Sequence, residues 1–209
     1  MLVTSIDTRS EHLALYLSDQ QGRTYRSFDA LAQDLARRGQ QLAFAMNAGM
    51  YESDGEPVGL LVIDGKELAP LNVDKGVGNF FLQPNGVFAQ TRQGPRVVTT
   101  ANYPAIAPQV LFATQSGPML LIDGAINPAF SPTSNSRYVR NGVCAKGDVV
   151  LLAISEAPVT FYEFASYFKD VLHCRDALYL DGSVSSVFQQ GGARQGAGTN
   201  LGPMLGVVR

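Results

Sequence analysis

The sequence has few of the residues on which metal and nucleophile chemistry is usually built. It contains no Trp, and its 209 residues include only two histidines, His12 and His173. His12 lies in an alternating strand pattern and is expected to be exposed, whereas His173 follows a helical pattern. Two isolated histidines leave little from which to build a zinc hydrolase or a Ser-His-Asp triad. We therefore expect any acid–base chemistry to depend on carboxylates.

Cysteine is equally scarce. Cys144 and Cys174 are the only two, too few and too far apart for paired Cys-x-x-Cys zinc ligands. Free cysteine is among the most buried residue types in proteins. We expect two buried free thiols here rather than a disulfide.

Charge of one sign and long apolar runs are also missing. The formal net charge is −2, and no cluster of basic residues occurs, which argues against a nucleic-acid or anionic-membrane surface. No apolar run is long enough for a membrane span, and no signal peptide is recognisable at the first residues. Localisation stays open: periplasmic or secreted if a leader has been removed, otherwise cytoplasmic. The sequence does not indicate the oligomeric state.

The pattern along the chain predicts an α+β fold. Two segments have helical periodicity, Ser27–Arg38 and Phe161–Leu172, and Thr160 with Glu163 forms a capping box before the second. The remaining apolar runs are short and separated by turn residues, which is typical of hairpins. We predict mostly antiparallel sheets with the two main helices packed on them, in a single domain spanning residues 1–209.

Three apolar runs end in Asp-Gly, at Asp64, Asp123 and Asp181. Asp-Gly between two strands is a strong signal for a tight hairpin turn, because both central residues need a positive φ. On pattern alone, all three are hairpin turns.

Four loops carry polar groups where strands are predicted to end: 47–51, 116–118, 137–142 and 181–186. Each has an ordinary structural explanation as a cap, a turn or a solvated loop. Each also suits ligand binding, because arginine offers a planar fork to phosphate, and glycine with small hydroxyl residues lets backbone N–H groups approach an oxyanion. No single loop decides between these interpretations.

In order, the stretches "NAGMY", "GNFFLQPNGVF", "QSGPMLLIDG", "RNGV" and "LYLDGSVSS" resemble the phosphodiester glycosidase family over nearly the whole chain. That family includes the enzyme that uncovers mannose 6-phosphate on lysosomal hydrolases, and the resemblance is closer to its bacterial, YigE-like branch. The resemblance implies hydrolysis of a sugar 1-phosphodiester at the anomeric C–O bond, which releases free sugar and a phosphomonoester. The family's second and third glycines in its Asp-Gly-Gly-Gly segment are replaced here by Ser183 and Val184.

The site residues expected from these matches fall into two groups. Asp181 is the expected catalytic carboxylate, as base or nucleophile, with Glu156 as a second carboxylate. Arg140 would bind the phosphate, Ser183 and Ser185 would assist it, and Asn47 would hydrogen-bond a sugar hydroxyl. The substrate-binding set is Asn47, Gly49, Tyr51, Ser116, Gly117, Arg140, Asn141, Gly182, Ser183 and Ser185.

No cofactor is expected. A divalent cation between Asp181 and Glu156 is compatible with the sequence, but no ligand spacing demands one. The expected partner is a small-molecule or glycan sugar phosphodiester. Two alternatives stay open: a non-catalytic carbohydrate- or cell-wall-binding module of the same fold, and a metal-dependent phosphodiesterase that cuts the P–O bond.

Overall fold

A computed structural model describes residues 1–53, 55–192, 194–196, 198 and 200–209, without the side chains of Ser183 and Arg194. The strands of this part, in chain order, are β1 (Leu2–Asp7), β2 (His12–Tyr16), β3 (Leu42–Asn47), β4 (Leu61–Ile63), β5 (Lys66–Ala69), β6 (Gly86–Thr91), β7 (Gly94–Thr99), β8 (Val110–Ser116), β9 (Met119–Ile122), β10 (Ala125–Ile126), β11 (Asn141–Lys146), β12 (Val149–Ile154), β13 (Ala177–Tyr179), β14 (Val187–Gln189), β15 (Arg194–Gln195) and β16 (Met204–Val208). The α-helices are α1 (Phe28–Arg37) and α2 (Phe161–Ser166).

These strands form three sheets, which we call A, B and C. Sheet A has the order β1-β12-β11-β13-β9-β10, sheet B the order β15-β14-β3-β16-β2, and sheet C the order β5-β4-β8-β6-β7. The strand pairs among the described residues are antiparallel. The predicted α+β class with mostly antiparallel sheets is confirmed.

The three sheets share one apolar core. Its largest buried cluster includes Phe44 of sheet B, Phe88 of sheet C and Leu152 of sheet A. Each belongs to a strand with alternating or continuous apolar residues, which places one face of every sheet against the others. The sheets therefore approach one another closely enough for their strand ends to meet.

Helix α1 packs on sheet B. Its N-cap is Ser27, whose hydroxyl accepts a hydrogen bond from the Ala30 backbone N–H, and its apolar stripe buries Leu31 and Leu35. That stripe belongs to a cluster that also contains Ala45 of β3. The first predicted helix is thus confirmed to within a residue at each end.

Helix α2 packs on sheet A and begins as predicted, with the Thr160–Glu163 capping box intact. The predicted helix to Leu172 is only partly correct, because the α-helix ends at Ser166 and a π-helical turn covers Tyr167–Val171. Phe164 and Phe168 are fully buried against the sheet. The wider π turn changes the geometry of the last residues while keeping the apolar stripe buried.

Two predictions about single residues have clear outcomes. The expectation of free thiols is wrong: Cys144 of β11 and Cys174, after the π turn, form a disulfide with a Cα–Cα distance of 6.2 Å. Both lie in the cluster beneath α2, where the fold brings them together. His12 is exposed on β2, as predicted.

The three Asp-Gly pairs differ. Asp64 and Asp123 both have positive φ (52° and 50°), as do the glycines that follow them, which confirms two hairpin turns. Asp181 and Gly182 are absent from the positive-φ residues of the described chain, and a short 3-10 turn begins at Gly182. Asp181 is therefore not a hairpin-turn residue. In the part of the chain that is described, no helix is long and apolar enough to span a membrane.

Candidate functional site

The candidate site lies where strands of all three sheets end or begin. Strand β3 ends at Asn47, β8 ends at Ser116, β11 begins at Asn141, and β13 ends two residues before Asp181. The Asp181 backbone N–H donates to the Ala48 carbonyl (3.1 Å), which joins sheets A and B at this point. The four sequence loops are thereby drawn toward one region of the fold.

Asn47 holds the Asp181 turn in place. Its Nδ2 donates to the Asp181 carbonyl (2.6 Å), and its Oδ1 accepts from the Ser186 backbone N–H (2.8 Å). The same Oδ1 accepts from Asn141 Nδ2 (3.0 Å), which also donates to the Asn47 carbonyl (3.0 Å). Both asparagines are buried. A side-chain amide supplies both a donor and an acceptor. The two asparagines therefore satisfy the buried backbone polar groups where these segments meet, and no buried charge is needed.

Ser185 belongs to the same network. Its hydroxyl lies within hydrogen-bonding distance of the carbonyl oxygens of Val139 (3.2 Å) and Gly182 (3.3 Å) and of Asn141 Oδ1 (3.3 Å). It is buried, so its hydroxyl stabilises the turn from inside. The side chain of Ser183, also predicted to bind substrate, lies outside the described part of the structure.

Arg140 is buried in a pocket of aromatic rings and backbone carbonyls. Its side chain is 1% exposed, and the guanidinium carbon lies 3.6 Å from the Phe161 ring centroid, within the range of a cation–π interaction. Nε donates to the Val159 carbonyl (2.9 Å) and Nη2 to the Ser136 carbonyl (3.1 Å). Within the described chain, Nη1 is buried without a hydrogen-bond partner and no salt bridge involves Arg140.

The burial of Arg140 has an electrostatic cost. Desolvation lowers the pKa of its guanidinium, and the nearby hydroxyls of Tyr179 and Tyr138 oppose this shift. A buried cation without a carboxylate partner is rare in proteins because its lost hydration is poorly replaced. Here the backbone carbonyls and aromatic rings around Arg140 replace part of the lost hydration.

Tyr179 is a site residue that the sequence did not single out. It is 1% exposed, and its ring packs edge-on against Phe161 (4.8 Å between centroids) and lies 5.6 Å from the Arg140 guanidinium carbon. Burial raises the pKa of Tyr179 to about 12, with the negative charge of Asp181 contributing and Arg140 opposing. The phenol is therefore neutral at physiological pH and interacts electrostatically with both residues. Strand alternation could have indicated it, since Tyr179 packs in a different cluster from its neighbours Leu178 and Leu180.

Gly182 lies directly against the Tyr179 hydroxyl. A Cβ at position 182 would overlap the Tyr179 oxygen and stand 2.6 Å from its Cζ. Glycine is needed here because the phenol occupies the space of a side chain. This packing gives Gly182 a structural function, where the sequence suggested close approach by a ligand.

Tyr51 is a second tyrosine influenced by the charge of Asp181. Its hydroxyl donates to the Asn200 carbonyl, and burial, followed by the charge of Asp181, raises its pKa. Gly49, in the same loop, packs against β8, where a Cβ would overlap Thr114. The loop that follows β3 is thus fixed between Asp181 and sheet C.

Ser116 and Gly117 lie at the end of β8. Ser116 is fully buried, and its hydroxyl is one of three buried side-chain polar atoms that lack a partner within the described residues. Gly117 precedes a cis Pro118, and a Cβ on it would stand 2.7 Å from both Asn85 Cβ and the Phe80 carbonyl. These two residues are packed tightly against the loop before β6.

Glu156 is not brought into this network. Its carboxylate is exposed and accepts a hydrogen bond from the Met1 amine (2.5 Å). The structure therefore does not support a carboxylate pair formed by Glu156 and Asp181. Among the described residues, no group of three or more His, Cys, Asp or Glu side chains is arranged to hold a metal ion.

A cavity of about 780 Å³ lies elsewhere. Residues that line it include Leu13 of β2, Asp64 after β4 and Phe112 of β8. In sheet B, Val208 pairs with His12 and Leu42 at one end, and Met204 pairs with Asn47 at the other. Because His12 lines the cavity, the cavity lies at the end of sheet B opposite Asn47. None of the predicted site residues lines it.

Fold and site together define a class of protein: an α+β domain of three antiparallel sheets with a buried aspartate turn and a buried arginine near their strand ends. The chain belongs to the phosphodiester glycosidase family, a family of hydrolases, whose model matches residues 40–208. The resemblance seen in the sequence motifs is thus confirmed.

Relatives and solved structures agree. The uncharacterized protein YigE of Escherichia coli (strain K12) is 35% identical over 191 residues, which cover 90% of this chain and 74% of YigE. The catalytic domain of zebrafish N-acetylglucosamine-1-phosphodiester alpha-N-acetylglucosaminidase, auto-inhibited by its pro-peptide, superposes with a TM-score of 0.66 at 14% identity, covering 99% of this chain and 81% of that one. A hypothetical protein from Synechocystis gives a TM-score of 0.57 at 15% identity, covering 99% and 59%. At these identities the two structures share the fold.

Proposed function

We propose that this protein hydrolyses a sugar 1-phosphodiester at the anomeric C–O bond, with Asp181 as the catalytic carboxylate. The observation that carries the proposal is the arrangement of the Asp181 turn. Asn47 and Ala48 bind its backbone, and the buried cation Arg140 lies behind Tyr179. Membership of the phosphodiester glycosidase family supports the reaction class.

The reaction suits a site with one such carboxylate. Water supplies oxygen to the anomeric carbon, the C–O bond breaks, and the phosphomonoester leaves with the bonding electron pair. A phosphate leaving group is weakly basic, so a strong general acid is not required. The remaining needs are a base or nucleophile and stabilisation of an oxocarbenium-like transition state. Asp181 supplies the first, and its negative charge contributes to the second.

Arg140 favours an anionic substrate. Its buried charge has no carboxylate partner in the described chain, and an incoming phosphodiester would bring the missing negative charge into its field. Interactions of this kind are stronger in a buried site than in water. This supports a charged sugar phosphodiester over a neutral glycoside.

The other predicted site residues divide by their contacts. Asn47, Asn141 and Ser185 use their polar atoms within the protein, so we assign them to positioning the turn. Tyr51 is half-buried beside Asp181, so its ring is the candidate for substrate contact, although its hydroxyl donates to the Asn200 carbonyl. The Ser116 hydroxyl lacks a partner in the described chain, but Ser116 is fully buried, so we assign it to packing around the turn.

A non-catalytic carbohydrate-binding module is the second candidate. The specific observation in its favour is the replacement of two family glycines by Ser183 and Val184. Val184 packs against the cluster beneath α1, which includes Phe28, so its side chain is directed into apolar packing. This substitution is therefore compatible with an intact Asp181 turn.

Hydrolysis of a sugar 1-phosphodiester with an aryl aglycone in oxygen-18 water tests the proposal. Mass spectrometry of the products should find the label in the free sugar. Label in the phosphomonoester would mean P–O cleavage by a phosphodiesterase. Binding without turnover across several sugars would favour the binding module.

A further inference from the structure

Arg140 is poorly placed to touch a substrate directly. Two of its three guanidinium nitrogens donate to the carbonyls of Val159 and Ser136, and the Phe161 ring covers one face. The whole residue is 1% exposed. The N–H groups left over are one on Nη2 and two on Nη1, and Nη1 is buried. The charge of Arg140 must therefore influence the site chiefly through a neighbouring group.

Tyr179 is that neighbouring group. The phenol interacts electrostatically with Arg140 on one side and with Asp181 on the other, and its hydroxyl lies against Gly182. Its ring centroid lies 5.6 Å from the Arg140 guanidinium carbon, while a Cβ on Gly182 would overlap its hydroxyl. Tyr179 is thus the polar side chain that lies between the cation and the turn.

The chemistry of the groups fits this arrangement. A guanidinium and a backbone N–H are both donors only, so the lone pairs of the phenolic oxygen are electrostatically favourable to each of them. The ring cannot move away, because Phe161 packs edge-on against it and Gly182 closes over the hydroxyl. A rigid contact of this kind fixes both the position of Gly182 and the direction of the field that reaches Asp181.

We propose that Tyr179 is a positioning residue through which Arg140 acts on the Asp181 turn, an inference that rests on the proposed glycosidase function. The hydroxyl links the buried cation to the turn, and the substrate meets the turn without contacting Arg140. Loss of either partner should remove the same contribution to turnover.

A double-mutant cycle tests this with Tyr179→Phe, Arg140→Gln and the double variant. We expect each single variant to lower kcat by about 10- to 100-fold with KM changed by less than about threefold, since turn misplacement affects the chemical step. The double variant should be no slower than Arg140→Gln alone. The proposal would be overturned if the fold-losses in kcat of the two single variants multiplied in the double variant, or if Tyr179→Phe kept full activity.

Controls separate positioning from folding. Tyr162→Phe removes a hydroxyl from a tyrosine that packs against the same aromatic cluster, and it should leave kcat unchanged. Thermal unfolding identifies variants that fail to fold. If Arg140→Gln does so, Arg140→Met replaces the charge with an apolar chain of similar length.

A second measurement does not depend on activity. The backbone amide resonance of Gly182 in ¹⁵N NMR spectra should shift when Arg140 is replaced in the wild-type background, and this shift should fall by more than half in the Tyr179→Phe background. A shift of equal size in both backgrounds would overturn the inference. If the oxygen-18 experiment shows no glycosidic cleavage while the NMR coupling is present, only the proposed function fails.

Discussion

Gly182 packs against the hydroxyl of Tyr179, the last residue of β13, so closely that a Cβ at position 182 would overlap it. The glycine after a site aspartate is easily attributed to ligand approach. Here its missing side chain makes room for a tyrosine of the protein itself. The contact joins the turn to the aromatic pocket of Arg140.

Gly182→Ala should therefore be damaging. The added Cβ would stand 2.6 Å from Tyr179 Cζ as well as overlapping the hydroxyl, so ring or turn must move. We expect a loss of about 1–3 kcal/mol in the free energy of unfolding and a fall in kcat of at least about tenfold. Denaturant unfolding and steady-state kinetics measure both. Gly192→Ala, where a Cβ meets only ordinary contacts at 3.5 Å, is the matched control and should change neither.

Asp181→Asn should lower turnover by about 100- to 10,000-fold, the range typical of losing a catalytic carboxylate. The fold should persist, because the turn is fixed by the backbone N–H and carbonyl of residue 181. Turnover of the aryl phosphodiester and far-UV circular dichroism measure the two effects. Asp64→Asn, at a true Asp-Gly hairpin, is the control. Near-wild-type activity in Asp181→Asn would rule out Asp181 as the catalytic group.

The Cys144–Cys174 disulfide closes a loop with a sequence separation of 30. By the chain-entropy relation, such a loop contributes roughly 3–4 kcal/mol to stability. Reduction should lower the denaturation midpoint accordingly, whereas a Cys144→Ala/Cys174→Ala variant should be insensitive to reductant. Protein made in a reducing cytoplasm should contain both thiols, which thiol labelling would detect. An unchanged midpoint on reduction would contradict the prediction.

Glu163 should stabilise the protein only when it is ionised. Arg137 first, and then the Thr160 backbone N–H, hold its pKa below the ordinary value of 4.5. A lowered folded-state pKa adds stability that is fully present above pH 4.5 and lost as pH falls through the folded value.

The matching variant is Glu163→Gln. The thermal unfolding midpoint of this variant should lie a few degrees below that of the wild type at neutral pH. In strong acid the two midpoints should be equal. Exposed Glu67→Gln, on β5, should show no such difference at either pH. A gap that persists in acid would mean that lost packing, and not lost charge, is responsible. The effect concerns the site because Glu163 and Thr160 cap helix α2, which carries Phe161, and the Phe161 ring lies over the Arg140 guanidinium.

The predictable parts of the fold depend on nearby residues. Asp64-Gly65 and Asp123-Gly124 adopt the expected turns because two residues decide the local φ angles. Helix α1 follows from its cap and stripe for the same reason. Asp181 has the same local sequence but a different geometry, because its backbone is bound by residues 47 and 48, distant in sequence.

The missed features depend on contacts between distant segments. Cys144 and Cys174 meet only because α2 and its π turn return the chain over β11, which spacing does not reveal. Glu156 follows the end of β12 by two residues, as Asp181 follows β13, yet its carboxylate is exposed. Tyr179 could have been predicted from strand alternation. Its contact with Arg140 could not, because the sequence does not show which aromatic rings from distant segments pack around the guanidinium.

The position of β16 has a consequence for how the protein is made. This strand, Met204–Val208, lies between β2 and β3 and pairs Met204 with Asn47. During translation, residues 48–203 must be synthesised after Asn47 before its partner in β16 exists and this part of sheet B can form. A ribosome-bound chain that has not yet released residue 208 would have no completed sheet to hold the Asp181 turn. Activity should thus appear only after β16 has been synthesised and has paired with β2 and β3.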